Sequence, residues 1–88
     1  MKAILTTIGK DRPGIVAGVS KYLASNDINI LDISQTIMGD NFTMMMLVKV
    51  NDQTNFQQLL ADLKQLGQQL SVTIDLRNEE LYRAMQQL

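Results

Sequence analysis

Apolar and polar residues alternate over four short segments of the chain, and this period of two predicts four β-strands. The predicted strands are Lys2–Ile8, Ile28–Met38, Phe42–Val50 and Ser71–Arg77. The third is the clearest, because every even position from Phe42 to Val50 is apolar. Between the second and third strands, Gly39, Asp40 and Asn41 predict a hairpin turn, since Gly and Asn tolerate a positive φ.

Two other segments carry apolar residues at helical spacing. These apolar positions are Ile15, Val19, Tyr22 and Leu23 in the first, and Phe56, Leu59, Leu60, Leu63 and Leu66 in the second. Asp11 is the predicted cap of the first helix, with Pro13 in its first turn. Thr54 and Gln57 have the spacing of a capping box before the second helix, and Gly67 is its predicted end. A short final helix, capped by Asn78, is expected to carry Leu81, Tyr82, Met85 and Leu88.

The resulting element order is βαββαβ with an added C-terminal helix, in a single domain spanning residues 1–88. Right-handed crossovers place both helices on the same side of the sheet. The sequence therefore predicts an α+β, ferredoxin-like fold, with a four-stranded antiparallel sheet and two helices on one face. The other face is not wholly polar: the expected apolar residues there are Ile4, Ile8, Leu31, Ile33, Ile37, Met45 and Leu47. We expect the final helix or a second copy of the chain to cover it.

Composition excludes several functions. The chain has no Cys and no His, so it lacks thiolate and imidazole metal ligands and the usual nucleophilic catalysis; no metal, cofactor or catalytic residue is predicted. A net charge of −1 and a single aromatic residue on the predicted strands argue against nucleic-acid binding. The apolar runs are too short for a membrane span, and the N-terminus does not form a signal peptide, so we expect a cytoplasmic protein.

The segment from Gly9 to Gly14 joins the first strand to the first helix. Free N–H groups at the start of a helix favour an anion, Gly14 permits close approach, and Arg12 offers a charge-assisted bond. The simpler interpretation is an ordinary capped turn with Arg12 in solvent, and these residues alone favour it. Asn29, on the second strand, is the other polar side chain for which we consider a binding role, since an amide both donates and accepts hydrogen bonds.

Two strings together resemble the ACT domain, a module that senses small molecules, most often amino acids. They are Asp-Arg-Pro-Gly-Ile-Val at 11–16 and Asn-Ile-Leu-Asp-Ile-Ser-Gln at 29–35. The similarity covers nearly the whole chain. It is greatest to small stand-alone bacterial ACT proteins of uncharacterised function, which are related to the ACT repeats of the glycine cleavage repressor.

The resemblance implies a homodimer that binds an amino-acid-like effector at the subunit interface and passes the signal to a regulated protein. The implied ligand-binding residues are Asp11, Arg12, Pro13, Gly14, Ile15, Asn29 and Ile30. Asp11 and Gly9 depart from the serine-sensing ACT domain of phosphoglycerate dehydrogenase, which has an amide and a His at these positions, so serine is not implied. The alternative is a protein-interaction module without a small ligand. An acylphosphatase-like enzyme is disfavoured, because the loop lacks that family's motif, and we predict no enzymatic activity.

Overall fold

The computed structural model describes residues 1–80 and residue 83. Its elements are β1 (Lys2–Lys10), α1 (Ile15–Ser25), β2 (Asn29–Met38), β3 (Asn41–Lys49), α2 (Phe56–Leu70) and β4 (Val72–Asn78). Each strand begins and ends within two residues of its predicted bounds. The predicted apolar positions of the C-terminal helix, from Leu81 onward, lie outside the described residues.

The four strands form one sheet in the order β2-β3-β1-β4, and every neighbouring pair is antiparallel. α1 and α2 contact each other in one layer that covers one face of this sheet. The predicted ferredoxin-like fold is therefore confirmed. The predicted hairpin is confirmed as well: Met38 pairs with Asn41 across a two-residue turn in which Gly39 has φ 63°.

The core lies between the sheet and the helix layer. The even positions of β3, with Val50 just beyond it, are all buried, as the alternation predicted. They pack with the buried stripes of the two helices, which are Ile15, Val19 and Leu23 on α1 and Leu59 and Leu63 on α2. From β1, Ala3, Leu5 and Thr7 point into the same layer, and the Thr7 hydroxyl has no hydrogen-bond partner among the described residues.

The helix ends differ from their predicted positions. α1 is capped by the backbone of Gly14, with φ 92°, and not by Asp11. α2 is capped by Asn55, whose Oδ1 accepts a hydrogen bond from the N–H of Gln58 at 3.1 Å, so the expected Thr54 capping box was wrong. Gly67 does not end α2. A Cβ there would lie 2.7 Å from the carbonyl oxygen of Val72, so this glycine lets α2 approach β4 closely.

A β-bulge in β2 changes which residues share a sheet face. The register shifts between Ile30 and Asp32, so Ile33 pairs with Met46 and Ile37 pairs with Phe42. Directly paired residues point to the same face, so Ile33 and Ile37 lie on the helix side of the sheet. The expectation that they lie on the other face was wrong, because one extra residue reverses the alternation. They remain 46% and 54% exposed at the edge strand.

Candidate functional site

The β1–α1 loop follows directly from the end of β1. Its residues from Asp11 to Gly14 are all exposed, and the backbone N–H of Asp11 donates to the carbonyl oxygen of Asp40 at 2.8 Å. This bond joins the loop to the β2–β3 turn. A Cβ built on Gly14 meets no atom within 4 Å, so the space in front of the helix is open.

The first turn of α1 presents backbone donors to that space. No side chain of the described residues caps this helix, and its first turn holds no acidic residue. The first internal bond runs from the N–H of Gly18 to the carbonyl of Gly14, at 2.8 Å. The N–H groups of the preceding residues have no partner within the helix, and they lie at the positive end of its dipole. This arrangement suits a carboxylate or another small anion.

Ile15 is buried, unlike the other loop residues of the implied site. Its side chain is only 2% exposed and belongs to the core between α1 and the sheet. A surface ligand could therefore meet its backbone N–H but not its side chain. Arg12 and Pro13 are exposed within the loop.

Asn29 and Ile30 lie at the far end of the sheet from this loop. Asn29 pairs with Lys49, whereas Lys10, which precedes the loop, pairs with Asn41. Lys49 and Asn41 are eight residues apart on one strand, a distance of about 27 Å at the usual rise per residue. One chain therefore does not bring Asn29 together with the loop. Asn29 is exposed, and Ile30 packs partly against the core.

Asn29 lines an open surface pocket of about 320 Å³ that the sequence did not predict. Its lining residues are Met1, Asp27, Asn29, Lys49, Val50, Asn51 and Asp52. The amino group of Met1 donates to the carbonyl of Val50 at 2.9 Å and to Oδ1 of Asp52 at 3.0 Å. The bond from this ammonium group, together with its charge, lowers the pKa of the Asp52 carboxyl below its ordinary value. Asp27 and Asp52 lie in turns that gave no binding signal in the sequence.

A second polar cluster lies between the two helices. The Tyr22 hydroxyl donates to Oδ2 of Asp62 at 3.2 Å, and the Gln58 amide donates to Oδ1 of the same carboxylate at 2.8 Å. Burial, and then the Asp62 charge, raise the pKa of Tyr22 to about 12. The hydroxyl therefore stays protonated and serves as a link between α1 and α2.

The described residues include no group of three or more Asp or Glu side chains placed to hold a metal ion. None of the helices over the described part of the chain is both long and apolar enough to cross a bilayer.

Comparison with known proteins agrees with this geometry. The family described as the ACT domain matches residues 2–77. A UPF0237 protein of Listeria monocytogenes is 49% identical over 89 residues, covering 100% of both chains. A UPF0237 protein of the archaeon Methanocaldococcus jannaschii is 43% identical over 88 residues, covering 99% of this chain and 98% of its own.

Solved structures give the same result. An ACT domain protein from Streptococcus pneumoniae superposes with a TM-score of 0.85 at 43% identity, covering 93% of each chain. A protein described as a glycine cleavage system transcriptional repressor superposes with a TM-score of 0.76 at 29% identity, covering 86% of this chain and 44% of its own. A formyltetrahydrofolate deformylase from Pseudomonas putida, at 16% identity and a TM-score of 0.81, shares the fold over 29% of its length.

The fold and these matches define a regulatory module of the kind that binds small molecules. The chain belongs to the ACT-domain family, and within it to the UPF0237 proteins. The resemblance inferred from the loop and from β2 is thereby confirmed. The subgroup extends to archaea, so the expectation of a bacterial group was too narrow.

Proposed function

We propose that this ACT domain works as a homodimer, that it binds an amino-acid-like molecule between its two subunits, and that it passes the signal to a regulated protein in the cytoplasm. One observation carries the proposal: the two halves of the implied site lie at opposite ends of the sheet, about 27 Å apart. A ligand that touches both halves needs a second copy of the chain.

The position of β2 supports this assembly. β2 is an edge strand, so one side of its backbone is available for pairing with another strand. Antiparallel pairing of two copies of β2, centred near Ile33, would set Asn29 of one copy opposite Ile37 of the other. Met38 pairs with Asn41, which also pairs with Lys10, so that end of the sheet carries the β1–α1 loop. The pairing would therefore join the two halves of the site twice in each dimer.

The chemistry of the two halves suits a zwitterion. The free N–H groups at the start of α1 would donate hydrogen bonds to the ligand carboxylate, and Arg12 would add a cationic contact. Asp11 on the loop would attract the ligand's ammonium group. The pocket near Asn29 presents charges of both signs, since Asp27 and Asp52 lie there beside Lys49 and the Met1 ammonium group. The Asn29 amide would fix the orientation of the ligand.

The two isoleucines of the implied site contribute in different ways. Ile30 would contact the apolar part of the ligand, because its side chain is only partly covered. Ile15 contributes its backbone N–H, because its side chain belongs to the core.

Isothermal titration of the intact chain against each common amino acid tests the proposal. We expect at least one to bind with Kd below about 1 mM, which corresponds to about −4 kcal/mol. Asn29→Ala should raise the Kd for that amino acid by at least about 10-fold, which corresponds to ~1.4 kcal/mol of binding free energy. Gln57→Ala, which removes an exposed amide on α2, is the matched control and should bind normally. If the protein is folded and dimeric but binds none of the amino acids, the proposal that it senses an amino-acid-like ligand is refuted.

A protein-interaction module without a small ligand is the alternative. The observation that favours it is the apolar edge of β2, where Ile33, Ile37 and Met38 are 46%, 54% and 72% exposed. If no amino acid binds, and Ile37→Asp abolishes dimerisation or partner binding while Gly14→Val leaves both intact, this alternative holds.

A further inference from the structure

α1 and α2 border a polar groove on the outer side of the helix layer, which we call the interhelical groove. It contains a larger hollow of about 200 Å³ and a smaller hollow of about 180 Å³, and Tyr22 and Asp62 line both. The Asp62 carboxylate therefore borders each hollow. Lys21 and Lys64, the lysines of the two helices, line neither of them.

Asp62 has hydrogen-bonding capacity that the fold does not use. Its Oδ2 accepts from the Tyr22 hydroxyl at 3.2 Å, and its Oδ1 accepts from the Gln58 amide at 2.8 Å. A carboxylate offers about four acceptor positions, so these two bonds fill about half of them. Both donors are neutral, and in the described part of the chain no cationic group forms an ion pair with Asp62. A half-buried carboxylate of this kind favours a cationic hydrogen-bond donor.

The residues of α2 that follow Asp62 suit an arginine side chain. The smaller hollow is also lined by Gln65, Leu66 and Gln69, which share one face of the helix with Asp62. Leu66 is half-buried and offers an apolar surface to a methylene stem. The amide oxygens of Gln65 and Gln69 are further acceptors. A guanidinium group has enough N–H donors in one plane to use several acceptors at once, whereas an ammonium group is a compact and strongly hydrated charge.

We propose that the smaller hollow binds an arginine side chain of the regulated protein, with the guanidinium group on Asp62 and the stem along Leu66. Charge complementarity carries this assignment, because the described lining of the groove holds a carboxylate, amides and hydroxyls but no cationic side chain. A planar guanidinium group can form paired hydrogen bonds to a carboxylate. That the arginine belongs to the regulated protein rests on the proposed function, whereas the guanidinium site itself does not.

The interhelical groove is separate from the implied ligand site, but it lies next to one half of that site. No residue of the implied site lines either hollow. The larger hollow reaches Asn26 and Asn55, and the pocket near Asn29 is lined by Asp27 and Asp52. The same two connections, from α1 to β2 and from β3 to α2, thus contribute to both. A protein docked in the groove would lie beside the ligand pocket without filling it.

NMR titration of the isotope-labelled full chain tests the site. The probe is N-acetyl-L-arginine methylamide, whose blocked amino and carboxyl groups distinguish it from a free amino acid. We expect saturable shifts of the backbone amide signals of Tyr22, Asp62, Gln65 and Gln69. The lysine analogue should bind more weakly. The citrulline analogue, which keeps the shape without the charge, should give no saturable shift.

Three variants locate the binding group. Asp62→Asn should raise the Kd for the arginine probe at least about 10-fold, because it removes the charge and keeps the shape of the side chain. Asp40→Asn, which removes an exposed carboxylate in the β2–β3 turn, is the matched control and should keep the wild-type Kd. Gln65→Glu adds a carboxylate to the smaller hollow and should lower the Kd. The spectrum of each variant also reports whether it is folded.

The remaining outcomes separate this inference from the proposed function. Shifts that do not saturate, or a Kd that is unchanged in Asp62→Asn, would overturn the arginine site. A lysine analogue that binds as tightly would overturn the assignment to arginine. Free arginine that binds in the groove at least about 10-fold more tightly than the blocked probe would show that the groove takes a free ligand, which overturns the docking of a protein.

The amino-acid titrations complete the comparison. If the blocked probe binds in the groove and no amino acid binds the protein, the arginine site stands and the proposed ligand sensing fails. If an amino acid shifts the signal of Asn29 and the blocked probe shifts none of the groove signals, the arginine site fails and the ligand sensing stands.

Discussion

The backbone N–H of Asp11 donates to the carbonyl oxygen of Asp40, and this bond of 2.8 Å connects the β1–α1 loop to the β2–β3 turn. The loop that presents the start of α1 is therefore fixed to the hairpin that ends the edge strand. In the proposed dimer, this hydrogen bond would join the ligand-binding loop to the end of the strand at which the subunits pair.

Substitution of Gly14 should destabilise the fold through its backbone conformation alone. Gly14 has φ 92°, and a Cβ there meets no atom within 4 Å. Gly14→Ala should therefore cost about 1–2 kcal/mol, the strain of a left-handed residue, without a steric clash. Urea denaturation measures this change. Gly14→Asn should cost less, since Asn tolerates this conformation, and an equal loss for Ala and Asn would contradict the explanation.

Substitution of Gly67 should destabilise the fold through close packing. A Cβ at this position would lie 2.7 Å from the carbonyl oxygen of Val72, which belongs to the backbone and has little freedom to move. Although Ala is the better helix former by about 1 kcal/mol, Gly67→Ala should lower stability by about 1–3 kcal/mol. Gly18→Ala is the control, because its Cβ meets only the flexible side chain of Leu70, at 3.1 Å. Thermal denaturation of both variants and the wild type measures the difference in melting temperature. A Gly67→Ala protein more stable than the wild type would contradict the explanation.

Replacement of Thr7 by Val should stabilise the protein. The Thr7 side chain is fully buried, and its hydroxyl has no partner among the described residues. Thr7→Val keeps the shape and removes an unsatisfied polar group, so we expect a gain of about 1 kcal/mol, or about 4–8 °C in Tm. Thr73→Val, at an exposed strand position, should change little. A loss of stability in Thr7→Val would indicate that the hydroxyl does have a partner.

The link between the helices should fail at high pH. The folded state raises the pKa of Tyr22 from its ordinary value of 10 to about 12. The contribution of the protonated Tyr22 hydroxyl to folding stability is therefore fully present below pH 10. It is lost as the pH rises through about 12, because ionised Tyr22 would face the Asp62 carboxylate without a proton to share. Urea unfolding of the wild type and of Tyr22→Phe between pH 8 and 12 measures the contribution of this hydrogen bond to stability. The difference in stability between the two proteins should shrink only above pH 10, and a difference that is independent of pH would refute the coupling.

The strands were predictable because their signal is local. In β3 each even position faces the helix layer, so alternation alone placed Met44 and Met46 in the core. The helix ends were less predictable, since several residues compete to cap a helix. Asp11 and Thr54 are both good caps by type, yet the backbone of Gly14 and the side chain of Asn55 hold those positions. The capping preferences of residue types do not distinguish between adjacent candidates, because tertiary contacts decide where the first turn of the helix begins.

The site was only partly predictable. The string around Gly14 indicated the loop, and the family resemblance indicated Asn29, but the distance between them follows from strand order and not from sequence spacing. The cavity near Asn29 could not be foreseen, because Asp27 and Asp52 come together only when β2 pairs with β3.

The bulge at Leu31 makes the edge strand unusually sensitive to chain length. One residue more or fewer in a loop is usually tolerated, whereas in β2 it would turn the strand over. Deletion of Leu31 would send Ile33 and Ile37 to the face of the sheet turned away from the helices, and it would bring Ser34 and Thr36 to the helix side. The presence of this one residue thus decides which of two opposite surfaces of the sheet carries the apolar side chains of its edge strand.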